Sequence, residues 1–267
     1  MALFKEKMWI WGHDAGQHNG ICNIPGLSKM SPLEGAMYLG TPNMCRVVHS
    51  NMPEPPFERD ALAIDVLDNV VWSIIGDGGS ARNYGGQSDI DAVAEAAKNH
   101  KNIIGGIMDD IFHPPRIASY TPAMLADWKK RLSEGAGRDM TLWTVFYEHE
   151  LDREDVVPFL DECDVASLWT WKLDHLPNLE ENFEKFKKIW GNEKPLYGGC
   201  YLWAYGDGRP MDIDLLKFQL GIYHKWLREH KIDGVIFCSN TVCDIGLESV
   251  RLVKDWIFEH KNEKLDF

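Results

Sequence analysis

Residues 103–112 read Ile-Ile-Gly-Gly-Ile-Met-Asp-Asp-Ile-Phe. Six residues without a charge end abruptly in two carboxylates. A short unbroken apolar run is how a strand buried on both faces of a parallel sheet reads. The same pattern recurs along the chain and predicts strands at Met8–Trp11, Arg46–His49, Val70–Ile75, Ile103–Met108, Thr141–Phe146, Val165–Thr170, Leu196–Trp203 and Val235–Cys238. Eight strands in 267 residues leave about 33 residues each, the size of one strand, one helix and their turns.

The intervening segments carry helix signals. Ser31-Pro32-Leu33-Glu34 is a capping box with proline at the first helical position. Thr121-Pro122 opens a helix through Arg131, with Met124, Leu125 and Trp128 at helical spacing. Further helices are predicted at 88–100, 155–162, 179–190, 212–229 and 247–260, and the segment 57–67 is the least regular. Strand–helix alternation repeated eight times predicts an α/β protein, a single (β/α)8 TIM barrel over residues 1–267. An open doubly wound sheet would need a glycine-rich phosphate turn after its first strand. The turn here is Trp11-Gly-His-Asp-Ala-Gly16, which does not match.

Composition narrows the function. Forty-one acidic residues against 28 basic ones give a net charge of −13, which disfavours nucleic-acid backbones and anionic membranes as partners. The six cysteines form no Cys-x-x-Cys pair, and no stretch in the chain has signal-peptide order. The expectation is a cytoplasmic protein with reduced thiols.

A TIM barrel places its chemistry at the C-terminal ends of the strands. The residues following each apolar run therefore form the candidate site. Asp109 and Asp110 are adjacent acids in an apolar frame, where at least one carboxyl needs a raised pKa or a strong partner. Glu148 and Glu150 follow the fifth strand, and whichever one its end aims inward enters the barrel mouth. Asp109, Asp110 and Glu148 are the expected catalytic carboxyls. His13, Asp14, His49, Asp77, Glu150, Trp171, Trp203, Tyr205 and Asn240 are the expected substrate contacts. Asp14, Asp77 and Asp207 also fit simple turn roles beside glycine. Of eleven tryptophans, Trp9, Trp72 and Trp143 are expected in the core packing of the barrel, and Trp128, Trp190, Trp226 and Trp256 on helix stripes. Trp11, Trp171 and Trp203 sit where an aromatic face could meet the C–H face of a sugar ring.

Gly106-Ile-Met-Asp-Asp-Ile-Phe112 resembles the strand-four end of TIM-barrel glycoside hydrolases and their uncharacterised relatives. The resemblance implies a carboxylate pair that cleaves a glycosidic bond in a small saccharide or glycoside, with no cofactor and no metal. Many retaining members carry a catalytic glutamate on strands four and seven. Here strand four ends in Asp109-Asp110 and strand seven in Trp203-Ala-Tyr-Gly-Asp207. An Asp on strand four with a Glu on strand five is closer to the α-amylase-like groups. Two alternatives stand beside this reading. One is a metal-dependent lyase, isomerase or hydrolase using His13, Asp14, His49, Asp109 and Glu148 as ligands. The other is a sugar-binding barrel without catalysis. A phosphate-ester substrate fits poorly, because the loops at 206–209 and 240–243 lack a glycine-rich phosphate turn.

Overall fold

The computed structural model describes residues 1–266. Eight parallel strands close on themselves: β1 (Met8–Gly12), β2 (Asn43–Arg46), β3 (Asn69–Ile75), β4 (Ile103–Met108), β5 (Thr141–Tyr147), β6 (Val165–Trp169), β7 (Leu196–Tyr201) and β8 (Gly234–Cys238). Closure is made by β1 pairing with β8, Trp11 opposite Cys238. The helices α1 (Pro32–Leu39), α2 (Glu58–Ala63), α3 (Ile90–Asn99), α4 (Pro122–Ala136), α5 (Val157–Asp161), α6 (Leu179–Trp190), α7 (Ile213–Arg228) and α8 (Glu248–His260) follow the strands in turn. This is the (β/α)8 barrel that the alternation predicts.

The caps act as the sequence indicates. Ser31 Oγ accepts the Glu34 N–H at 3.3 Å, and the Glu34 carboxylate accepts the Ser31 N–H at 2.8 Å. At α4 and α7 the Thr121 and Asp212 side-chain oxygens accept the Met124 and Leu215 N–H groups as simple N-caps. Two strands differ most from expectation: β7 ends at Tyr201 rather than Trp203, and β2 is displaced. β2 covers Asn43–Arg46 rather than Arg46–His49, because the apolar Val47 and Val48 already belong to the loop above it. Arg46 thus ends the strand with its guanidinium buried against Asp14. Helix α5 is also short, a 3-10 turn at Glu154–Val156 leading into five α-helical residues.

The barrel interior is filled from below by Trp9, Trp143 and Tyr197, with ring centroids 4.7–5.7 Å apart. Trp72 is fully buried against Phe57. Of the helix tryptophans, Trp128, Trp190 and Trp226 are buried and Trp256 is half-buried against the core. This floor closes the barrel and leaves a hollow at the opposite end. At the N-terminal face, Ala2–Leu3 pairs antiparallel with Lys264–Leu265. Among the described residues no helix is long and apolar enough to cross a membrane, and all six cysteines are free.

Candidate active site

The strand ends enclose a cavity of about 770 Å³, within the range of small-molecule sites. Its walls divide by chemistry. On the β5–β8 side lies an aromatic wall. Trp169 packs on Trp11 at 5.5 Å and on Tyr201 at 5.0 Å, Trp171 on Tyr201 at 5.8 Å and on Tyr147 at 5.9 Å. Burial pushes the Tyr147 and Tyr201 hydroxyls well above the usual phenol range, so both stay protonated. Strand register produces this wall: Tyr201 pairs with Cys238, and Tyr147 with Trp169, so these rings stand near the strand ends. Gly199 on β7 makes room for the Trp169 indole, which a Cβ there would overlap.

The acids stand on the β3–β5 side. Asp109 is buried, and its pKa lies well above the carboxylate norm. Desolvation is the main cause, the neighbouring charges of Asp110 and Asp77 add to it, and Arg116 opposes it. Asp110 adopts a left-handed backbone, φ 47°, one of the few conformations there that Asp tolerates better than most residues. Its carboxylate accepts the Gly78 N–H at 2.9 Å. Asp77 accepts bonds from the Ser50 N–H at 2.8 Å and from the Ser80 hydroxyl at 2.6 Å, and lies 3.6 Å from His49 Nε2. Arg116, almost fully buried, steadies that turn through the Asp77 carbonyl.

Glu150 lines the cavity. Burial pushes its pKa from 4.5 up to about 7, and the charge of Asp110 adds to this. The Tyr147 N–H donates to it at 3.0 Å and His149 and Arg153 lie near, all working in the opposite sense.

Three imidazoles form the remaining edge. The His13, His18 and His49 rings lie 4.2–5.5 Å apart. His18 is pinned through Nδ1 by Thr241 Oγ1 at 2.8 Å and the Tyr205 hydroxyl at 3.1 Å. Burial, followed by the charge of His49, lowers its pKa to about 3. Burial and the neighbouring His18 also hold His13 well below the usual imidazole range. At neutral pH both are uncharged, and each ring offers one donor and one acceptor. His13 Nδ1 is buried and has no protein partner.

Of the residues expected from sequence, Asp109, Asp110, His13, His49, Asp77, Glu150, Trp171 and Tyr205 meet around this cavity, as does Trp11. Four do not. Glu148 is turned away from the cavity, because the chain winds into a 3-10 turn at 148–150 directly after β5. Its carboxylate takes the Trp171 N–H at 2.9 Å and His175 Nδ1 at 2.8 Å. Burial favours its neutral form, but the bonds from His149, His175 and Trp171 together outweigh burial and hold its pKa below the ordinary value. Asp14 is paired with Arg46. Trp203 is buried with its indole N–H on the Cys22 carbonyl at 2.9 Å. Asn240 is a clamp: it accepts the His13 N–H at 2.8 Å and donates to the His13 and Met30 carbonyls.

With Asp14 and Glu148 engaged elsewhere, the five donors of the metal-dependent alternative do not converge. Among the described residues, the group of three His, Cys, Asp or Glu side chains close enough to share one ion lies elsewhere, at His224, His260 and Glu263. His18, Tyr147, Trp169 and Tyr201 line the cavity without being singled out by sequence. The first lies in a long irregular loop, and the others read as ordinary strand aromatics.

No family model and no curated protein matches the chain. Among solved structures it is similar to concanavalin B, with TM-score 0.58 and 8% identity over 95% of this chain and 100% of that one. It is similar to the ICChI chitinase of Ipomoea carnea, with TM-score 0.53 and 15% identity over 95% and 99%. It is equally similar to tryptophan synthase from M. tuberculosis, with TM-score 0.53 and 12% identity over 97% and 94%. These likenesses establish the TIM-barrel architecture, which hosts many chemistries. The strand-four resemblance to barrel glycoside hydrolases is matched at the level of fold.

Proposed function

We propose that the protein is a carbohydrate-active hydrolase that cleaves a glycosidic bond, with Glu150 as proton donor and Asp110 as the second carboxylate. The observation that carries this reading is that Glu150 and Asp110 line one cavity together with Trp and Tyr rings. Glycosidic cleavage needs one carboxyl that still holds a proton and one carboxylate that attacks carbon or activates water. A donor pKa of about 7 is matched to work near neutrality. Stacking on Trp171 or Trp11 would hold the sugar by its C–H face. Neutral His13 and His18, with His49 beside them, would receive its hydroxyls, and the unpartnered His13 Nδ1 would gain a bond. Protonated Asp109 would donate to a hydroxyl at the base of the cavity. The chitinase likeness is consistent with a saccharide substrate and does not select one.

The test is a panel of aryl glycosides and short oligosaccharides. Asp110→Asn lowers kcat/KM on the responsive substrate by about 10²–10⁴-fold. Glu150→Gln lowers it by a similar factor on substrates with poor leaving groups, and far less on a dinitrophenyl glycoside, which leaves without a proton. Unchanged rates in both variants on a substrate that the wild type turns over overturn the assignment.

A further inference from the structure

Far from the cavity, at the N-terminal face of the barrel, three side chains from separate parts of the chain converge. His224 lies in the second half of α7, His260 is the last residue of α8, and Glu263 follows in the tail. His224 Nε2 is 2.8 Å from one Glu263 carboxylate oxygen, and His260 Nδ1 is 2.5 Å from the other. The two imidazoles stack with centroids 4.2 Å apart and 29° between planes. The ligand atoms of all three residues lie within 4.8 Å of one another.

The surroundings hold this arrangement in place. Phe4, fully buried, packs on His224 at 5.6 Å and on His260 at 5.5 Å, and Trp256 packs on His260 at 5.8 Å. The Phe4 N–H donates to the Glu263 carbonyl at 2.8 Å, and the Glu263 N–H to the His260 carbonyl at 2.8 Å. The tail residue is therefore fixed by main-chain bonds. The aromatic floor keeps water from one side, while the Glu263 side chain, 37% exposed, leaves the other side open.

We propose that His224, His260 and Glu263 form a binding site for a divalent zinc-class cation. Two imidazole nitrogens with one carboxylate suit zinc, cobalt or nickel, whereas calcium and magnesium select all-oxygen cages. Ligand atoms around a tetrahedral zinc with bonds of about 2.0–2.1 Å stand roughly 3.4 Å apart. The Glu263 contacts need to open by less than about 1 Å and the widest ligand separation, within 4.8 Å, needs to close, which side-chain rotation on the fixed Glu263 backbone supplies. Solvent fills the fourth position. The bound ion would tie α7, α8 and the terminal ribbon together at the stabilising face of the barrel, away from the chemistry. The site is independent of the glycosidase reading.

The experiment is equilibrium dialysis of the purified, chelator-treated full chain against zinc, with metal analysis, alongside cobalt titration followed by visible absorption. The expected result is one equivalent bound, tetrahedral cobalt bands, and a rise in Tm of about 5 °C at a hundredfold excess over Kd. His224→Gln and Glu263→Gln, which keep the hydrogen-bonding capacity, each abolish that equivalent, and His49→Gln at the cavity retains it. No binding by the wild type overturns the proposal. So does an equivalent that survives both His224→Gln and Glu263→Gln, or that is lost in His49→Gln.

Discussion

Replacing Glu150 by glutamine should make the protein more stable above neutrality, and the size of the gain follows from the environment of this side chain. The wild-type carboxyl titrates near 4.5 when exposed and at about 7 in the fold. Between these values the folded state binds more protons than the unfolded state, so stability falls as pH rises. The separation is about 2.5 in pKa, at about 1.4 kcal/mol for each, and the loss accumulates to about 3 kcal/mol by pH 8. Glutamine carries no such penalty, and its amide oxygen still accepts the Tyr147 N–H. Urea unfolding of both proteins at pH 4.5, 6 and 8 isolates the effect, because every other titrating group is shared. The stability difference, variant minus wild type, should climb by about 3 kcal/mol across this range, most steeply between pH 5 and 7. A difference that changes by less than about 1 kcal/mol refutes the claim that Glu150 is desolvated. It would also remove the basis for its role as proton donor.

Glu148→Gln should behave in the opposite manner. Its folded pKa is depressed, so its stabilisation is present above the unfolded pKa and is lost as pH falls. The variant is expected to cost about 1 kcal/mol at pH 7, and this cost should shrink as pH falls below the unfolded pKa, checked by urea unfolding extended to more acid pH. Gly199→Ala drives a methyl into the Trp169 indole. Thermal unfolding should show a loss of about 1–3 kcal/mol, and KM for the responsive glycoside should rise with little change in kcat. An unchanged Tm would mean that Trp169 does not lie over β7.

The architecture is legible in sequence because a strand buried on both faces carries its signature locally, as residues 103–108 do. So is the crowding of ionisable groups at one rim, since the topology fixes which strand ends face the hollow. The choice between Glu148 and Glu150 is not legible. It depends on one peptide's worth of winding after Tyr147, and a 3-10 turn instead of extended chain exchanges which carboxyl enters the cavity. Arg46 captures Asp14 because β2 ends three residues earlier than its apolar run suggests. His18 is placed by partners more than 180 residues away, Tyr205, Ser239 and Thr241, and no local pattern records them. Asn240 and Trp203 look like pocket residues for their polar handles, yet those handles are spent on main-chain groups of the first loop.

That first loop and the last one interlock. Asn240 grips the backbone at His13 and Met30, and Thr241 grips His18. The earliest-made part of the polypeptide thus receives its working shape from nearly the latest. Until the eighth strand docks beside the first, the His13 backbone lacks its Asn240 clamp and His18 lacks its Thr241 bond, however well the rest has folded. Ligand affinity at this rim should therefore act as a gauge of ring completion: half-assembled chains would have the carboxyls but lack the grip.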